Sequence, residues 1–147
     1  MAAIGKSASI LIKKPLTQVF NFVANPDNFH IWQPFAVEAK ITSPGPMAAG
    51  STYLYTFQTM GQRIETTGVI TEFEPFRRYA YQSVSGPFPI RGGFLFQEVD
   101  GFVEVTAFGM AEPSGYFSMA GAVIGILLSR QINATLRTLK DILEGKG

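Results

Sequence analysis

Residues 51–84 read STYLYTFQTMGQRIETTGVITEFEPFRRYAYQSV, and they indicate the fold more clearly than any other part of the chain. Aromatic and β-branched residues alternate here with polar ones, the period-two pattern of a strand with one buried face. The alternation is interrupted at Gly61–Gln62 and at Glu74–Pro75, which are typical turn signals. Connections this short favour hairpins over crossovers. The stretch therefore predicts three neighbouring antiparallel strands.

The same period continues on both sides of this stretch. Further turn signals at 43–46, 85–87 and 100–101 divide residues 35–112 into segments of strand length. A separate alternating segment precedes them at 7–13. The chain is thus predicted to contain seven strands, at 7–13, 35–42, 51–59, 63–73, 78–84, 91–98 and 102–111.

Two short helices are predicted between the first and second strands. Apolar residues recur at helical spacing over 16–23, behind Pro15. Asn25 is a good N-cap and Pro26 a good first residue for the second helix, which holds Trp32.

One long helix is predicted at the end of the chain, from about 117 to 144. Its second half has one apolar stripe, formed by Leu128, Ile132, Leu136, Leu139 and Leu143. The segment 113–129 is uncharged and contains a Gly121-x-x-x-Gly125 pair. At 17 residues it is short for a membrane span, which needs about 20. We expect the buried half of an amphipathic helix and no integral membrane span.

The order strand, two short helices, six strands, long helix predicts an α+β domain covering residues 1–147. A twisted antiparallel sheet of seven strands curls, and a single helix cannot cover its concave face completely. We therefore expect a cleft between the sheet and the last helix.

Several local strings resemble the helix-grip superfamily, which includes START lipid-transfer domains and birch-pollen-type allergens. They include Asn25-Pro26-Asp27-Asn28, Trp32-Gln33-Pro34, Phe73-Glu74-Pro75-x-Arg77-Arg78 and Asp100-Gly101. Within the superfamily the chain is most similar to the bacterial polyketide cyclase/dehydrase branch. The resemblance spans residues 10–144 and implies a curved sheet that grips the C-terminal helix around an apolar cavity. It implies little about a reaction, because one fold hosts many functions.

Composition narrows the possible functions. Aromatic residues make up 13% of the 147 residues and charged residues only 16%, against roughly 25% charged in average domains. The net charge of +1 and the scattered basic residues argue against nucleic-acid binding. The absence of cysteine excludes disulfides and thiol nucleophiles. Residues 1–6 contain no apolar stretch of the kind a signal peptide needs, so we expect none. We expect a cytoplasmic protein.

Candidate catalytic groups are few, and the sequence identifies no catalytic residue. The single histidine, His30, is expected to be a partly exposed packing residue. No metal-ligand spacing or cofactor fingerprint is present, so we expect neither metal nor cofactor. Charged residues on the strands are expected to lie on solvated faces, and an inward-facing one would favour catalysis; the candidates are Arg63, Glu65, Arg91 and Glu98. The pair Gly92–Gly93 predicts a bulge or a close helix contact.

Strand alternation places a set of aromatic residues on the inner face. With neighbours at the corner after the second short helix and on the first half of the last helix, they form the predicted ligand-binding set: Trp32, Phe35, Tyr53, Tyr55, Phe57, Tyr79, Tyr81, Phe94, Phe96, Met119 and Val123. Tyrosine combines a flat apolar body with a hydroxyl that needs a partner when buried. Two interpretations stay open: a lining for a ring-bearing ligand, or an ordinary core.

Three function classes follow. The first is a monomer or homodimer that binds a small hydrophobic or aromatic molecule, lipid-like or polyketide-like, in the cavity. The second is a polyketide cyclase/dehydrase-type enzyme using the same cavity. The third is a membrane-associated or partner-associated accessory protein using the segment 113–129.

Overall fold

The computed structural model describes residues 4–33, 36–59, 61–85, 90–111 and 121–145, with only the backbone described at 4, 59, 111, 121–125 and 127. Seven strands and three α-helices follow the predicted order. They are β1 (Ile4–Ile12), α1 (Leu16–Val23), α2 (Phe29–Trp32), β2 (Ala36–Ile41), β3 (Thr52–Thr59), β4 (Gln62–Glu74), β5 (Arg78–Ser83), β6 (Ile90–Val99), β7 (Phe102–Ala111) and α3 (Gly121–Leu143). The predicted start of the last helix, at 117–120, lies outside the described residues.

All seven strands form one antiparallel sheet in the order β1-β7-β6-β5-β4-β3-β2. The first and second strands are therefore its two edges, and the chain travels from one edge to the other through α1 and α2. Register shifts between Ala36 and Glu38 in β2 and between Ile70 and Glu72 in β4 mark bulges. Bulges bend and twist a strand, so both contribute to the curvature of the sheet. The helix-grip fold predicted from the sequence is confirmed.

The second short helix starts as predicted, but it is split. Asn25 accepts a hydrogen bond on its side-chain oxygen from the backbone N–H of Asp27 and caps a 3₁₀ turn, Pro26–Asn28. This turn leads into the four-residue α2. The tighter turn ends before Trp32, whose side chain is fully buried.

A two-residue turn at Asp100–Gly101 joins β6 to β7. Both residues have positive φ, at 50° and 83°. Turns of this hand match the twist of a β-hairpin, and Asp-Gly is a preferred sequence for them. The turn fixes the register in which Phe94 faces Ala107 and Phe96 faces Val105.

The apolar stripe of α3 lies as predicted, with Ile132, Leu136, Leu139 and Leu143 buried and Leu128 partly buried. Among the strands, the backbone of α3 lies closest to β1 and β7, at one edge of the sheet. Its buried side chains join the same core cluster as Tyr79, Phe94 and Phe96. The α1 residues Val19, Phe20 and Val23 close the same core.

Polar contacts anchor the C-terminal end of α3 to the end of β1. The Lys140 ammonium donates to the Leu11 carbonyl at 2.6 Å and to the Glu144 carboxylate at 2.8 Å. The same Glu144 oxygen accepts from the backbone N–H of Lys13 at 2.9 Å. The C-terminal end of the helix is thus fixed over the end of β1.

Candidate functional site

The inner face of the sheet is defined by strand register. Cross-strand pairs join Tyr53 to Gly68, Tyr55 to Thr66 and Phe57 to Ile64. Further across the sheet, the pairs Tyr81–Gly92 and Tyr79–Phe94 lie on the same face as these residues. Because directly opposed residues point to one side of a sheet, the aromatic side chains of β3, β5 and β6 share the concave face.

These aromatic residues divide into two groups. The first belongs to the packed core with α1 and α3: Trp32, Tyr79, Phe94 and Phe96. The second, which we call the aromatic wall, consists of Tyr53, Tyr55, Phe57 and Tyr81, all partly exposed. Only Tyr81 of the wall touches the core cluster. The two interpretations left open by the sequence therefore apply to different residues: an ordinary core describes the first group and not the second.

Ring contacts join the aromatic wall in two pairs. The Tyr53 and Tyr81 rings meet edge to face, with centroids 6.2 Å apart. Tyr55 and Phe57 stack at 5.7 Å with an interplanar angle of 29°. Contacts of this geometry contribute about 0.5–1.5 kcal/mol each beyond the area they bury, so the wall is a preformed surface.

Two glycines let the tyrosine rings lie close against the sheet backbone. A Cβ built at Gly68 would overlap the Tyr53 phenol, and one at Gly92 would stand 2.8 Å from the Tyr81 hydroxyl. Real Cβ atoms do not approach other atoms so closely, so any larger residue would lift the rings. A ring that lies close to the backbone takes up less of the space above the sheet than a ring that projects from it. The Tyr–Gly pairs therefore keep space open above this part of the concave face.

The four tyrosine hydroxyls described on the inner face differ in their hydrogen bonding. Tyr79 donates to the Val23 carbonyl at 3.2 Å, and Tyr55 donates to the Gln33 side-chain oxygen at 2.7 Å. Neither Tyr53 nor Tyr81 has a hydrogen bond from its hydroxyl to any described residue. Two donors of the aromatic wall thus lack a protein acceptor.

All four tyrosines are neutral at physiological pH. Burial raises the pKa of Tyr81 to about 12. Burial, and to a smaller extent the neighbouring Tyr81, raises the pKa of Tyr53 and Tyr55, and the pKa of the fully enclosed Tyr79 is raised in the same way. A phenol with a raised pKa donates a hydrogen bond but does not act as a base.

A third donor without an acceptor is the indole of Trp32. Among the described residues, its Nε1 is the single buried side-chain nitrogen or oxygen with no hydrogen-bond partner. The indole packs edge to face against Phe29 and Phe94, at 5.8 and 5.5 Å. Leaving such a donor unpaired costs about 1–3 kcal/mol.

The charged candidates named from the sequence all lie in solvent. Arg63, Glu65, Arg91 and Glu98 are exposed. The exposure of Arg63 and Glu65 follows from the register, because these two residues alternate with the inner-face residues Ile64 and Thr66. His30 is exposed on α2. Within the described ranges, no three acidic or histidine side chains converge on a point where a metal ion could bind.

Some predicted ligand-binding residues cannot be located in this way. Phe35 and Met119 lie outside the described residues, and Val123 is described only by its backbone in α3. The membrane-association hypothesis rests on the segment 113–129, and the first part of it, 113–120, also lies outside them. Of the helices whose residues are described, none combines the length and the apolar character needed to cross a bilayer.

The interpretation of Gly92–Gly93 as a bulge or a helix contact is wrong. The register of β6 with both neighbours is regular through these residues. The nearest atoms to an added Cβ belong to neighbouring strands: Tyr81 and the Phe108 backbone at Gly92, and the Tyr79 backbone and the Phe108 ring at Gly93. The close helix contact is instead at Gly109, where an added Cβ would stand 3.2 Å from Leu128.

Three features of the site were missed in the sequence: the Tyr–Gly pairs, the Tyr55–Gln33 hydrogen bond and the unpaired Trp32 indole. The first left a detectable signal, because Gly68 and Gly92 interrupt strands at inner-face positions. The other two depend on how α2 sits against the sheet, which no local pattern specifies.

Solved structures share this architecture at low sequence identity. The Zhui aromatase/cyclase from a Streptomyces species superposes with a TM-score of 0.83 and 13% identity, covering 97% of this chain and 94% of its own. A START superfamily protein from Mycobacterium smegmatis superposes with a TM-score of 0.81 and 10% identity, covering 97% of this chain and 99% of its own. The protein TTHA0849 from Thermus thermophilus superposes with a TM-score of 0.82 and 13% identity, covering 96% of this chain and 97% of its own. At these identities the likeness shows the fold alone.

A comparison with curated proteins finds no significant match. The family model described as polyketide cyclase / dehydrase and lipid transport matches residues 6–144, nearly the whole chain. This match is independent of the superpositions and agrees with the resemblance noted in the sequence. The chain belongs to the polyketide cyclase/dehydrase and lipid transport family.

Proposed function

We propose that the protein binds a small hydrophobic molecule between the aromatic wall and α3. The observation that carries the proposal is that Tyr53, Tyr55 and Phe57 lie on the concave face but outside the packed core. Aromatic side chains left partly exposed on a concave surface are suited to bury an apolar guest. The position of α3 over β1 and β7 supports the same conclusion.

Catalysis is the second candidate function, and the charge distribution does not favour it. The four charged strand residues that could act as acids, bases or electrophiles are exposed, as described above. The tyrosines of the inner face are neutral phenols, which can polarise a carbonyl but cannot accept a proton at neutral pH. Binding therefore explains the site with fewer assumptions than a cyclase or dehydrase reaction.

The proposal is tested with Nile red, an uncharged dye whose emission rises in apolar surroundings. Trp32 is the single tryptophan of the chain, and the neighbouring Gln33 is bonded to Tyr55 of the wall. We expect saturable binding of one dye with energy transfer from Trp32.

Two matched truncations locate the dye. Phe57→Ala removes a partly exposed ring from the wall, and Leu95→Ala removes a side chain that is 41% exposed on the convex face. We expect Phe57→Ala to weaken binding roughly fivefold, for an aromatic contact of about 1 kcal/mol, and Leu95→Ala to leave it unchanged. Absence of saturable binding, or equal losses in the two variants, contradicts the proposal.

A further inference from the structure

The concave face presents two hydrogen-bond donors, the Tyr53 and Tyr81 hydroxyls, that have no acceptor among the described residues. The fully buried Trp32 indole N–H is a third donor without a partner in the described part of the chain. Each is a neutral group with a proton to donate at physiological pH. A ligand that brings acceptor oxygens would satisfy donors that the protein leaves unpaired.

The same face lacks a buried charge that could neutralise an ion. Eleven of the twelve Lys and Arg residues lie in the described part of the chain, and none of these eleven is buried. Lys6, whose register with Gly109 places it on the concave side, is exposed near the start of β1. A carboxylate transferred into this site would lose its hydration without gaining a cation, which costs several kcal/mol.

We infer that Tyr53 and Tyr81 are specificity-determining residues that select an uncharged, carbonyl-bearing ligand over an anionic one such as a fatty acid. The two rings are held edge to face with centroids 6.2 Å apart, and each lies close over its glycine, so both hydroxyls belong to one preformed surface. The inference rests on the proposed function and adds the chemical class of the ligand.

The test uses three compounds with the same pair of phenyl rings. Benzophenone has a neutral carbonyl acceptor, diphenylmethane has none, and diphenylacetate has a carboxylate. Their dissociation constants are measured by equilibrium dialysis on the full chain, on Tyr53→Phe, on Tyr81→Phe and on Thr106→Val. The last variant removes the Thr106 hydroxyl, whose oxygen lies at hydrogen-bond distance, 2.7 Å, from the Ser9 hydroxyl oxygen on the convex face. It controls for the loss of a hydroxyl away from the site.

We expect the native chain to bind benzophenone and diphenylmethane but to bind diphenylacetate at least tenfold more weakly than benzophenone. Removing a donor hydroxyl should weaken the binding of benzophenone about fivefold, which is the factor that corresponds to a net hydrogen bond of about 1 kcal/mol. Diphenylmethane binding should be unchanged in the same variants, which also shows that they are folded. Thr106→Val should bind all three compounds like the native chain.

The outcomes separate the inference from the proposed function. Equal binding of benzophenone to the native chain and to both tyrosine variants, or tight binding of diphenylacetate, overturns the inference. In that case Nile red and diphenylmethane still bind, and the proposed function stands. If neither Nile red nor any of the three compounds binds, both are wrong.

Discussion

The phenol of Tyr81 lies across Gly92, its directly opposed partner in the neighbouring strand, so that a Cβ at Gly92 would stand 2.8 Å from the Tyr81 hydroxyl. Tyr53 lies across Gly68 in the same manner two strands away. The repetition brings two rings that would otherwise project from the sheet close to its backbone. The depth of the concave face thus depends on two glycines.

Gly92→Ala is expected to destabilise the protein by about 1–3 kcal/mol, the usual cost of an overpacked site. The added methyl group would meet both the Tyr81 hydroxyl and the Phe108 carbonyl oxygen at 2.8 Å, and the backbone cannot yield easily. Denaturant unfolding measures the change, and Nile red affinity should fall as the ring is lifted. Gly5→Ala is the control, because its Cβ would make only ordinary contact with Met110 at 3.5 Å. Equal stability of the two variants would contradict the Tyr–Gly account.

Tyr79→Phe and Tyr81→Phe should differ in stability although both are conservative changes on β5. The Tyr79 hydroxyl donates to the Val23 carbonyl inside the core, so its loss leaves a buried acceptor unpaired and should cost about 1 kcal/mol or more. The Tyr81 hydroxyl has no such bond to a described residue, so removing this hydroxyl should change the free energy of unfolding by less than about 0.5 kcal/mol. Urea unfolding of the two variants tests the difference, and a reversed order would show that the hydroxyls are wrongly assigned.

Glu144→Ala should lower stability by about 1–2 kcal/mol without changing ligand affinity. The substitution removes the acceptor of the Lys13 backbone N–H and of the Lys140 ammonium, which together hold α3 on β1. Glu38→Ala is the control. The Glu38 carboxylate lies 3.8 Å from the ammonium of exposed Lys40, and a surface ion pair of this kind contributes little to stability. A loss of Nile red binding in Glu144→Ala would show that the anchored end and the aromatic wall are coupled.

Alkaline pH should destabilise the fold through the tyrosines of the inner face, whose pKa values are raised. The pKa of Tyr81 is raised from 10.0 to about 12. Between these values the unfolded chain has released a proton that the folded chain retains, so the free energy of unfolding falls as pH rises and does not respond to this group below pH 10. Urea unfolding across this range, with tyrosinate absorbance in parallel, measures the effect. Titration of all tyrosines near 10 without loss of stability would contradict their burial.

The fold could be predicted because its signals are local. Alternation over 51–84 and the Asp100–Gly101 turn predict hairpins, and hairpins in series produce a neighbour-to-neighbour sheet. The apolar stripe of α3 at Leu136 and Leu139 likewise follows from helical spacing. The bulge between Ile70 and Glu72 left no comparable signal, because it depends on how the sheet bends.

The site could be predicted only in part. Alternation placed Tyr53 and Tyr79 on the same face, and the register agrees. It could not show that Tyr79 is packed into the core while Tyr53 is not, because that difference depends on where α1 and α3 lie over the sheet. The same limit applies to the unpaired indole of Trp32, whose surroundings come from distant segments.

Photolabelling with benzophenone tests the central claim most directly, since the excited carbonyl inserts into C–H bonds of the residues it touches. Bound benzophenone should label peptides containing the aromatic wall, within 52–59 and 78–83, and excess diphenylmethane should suppress the labelling. Adducts located by mass spectrometry on the convex face, for example at Leu95, or labelling that diphenylmethane does not suppress, would contradict the account.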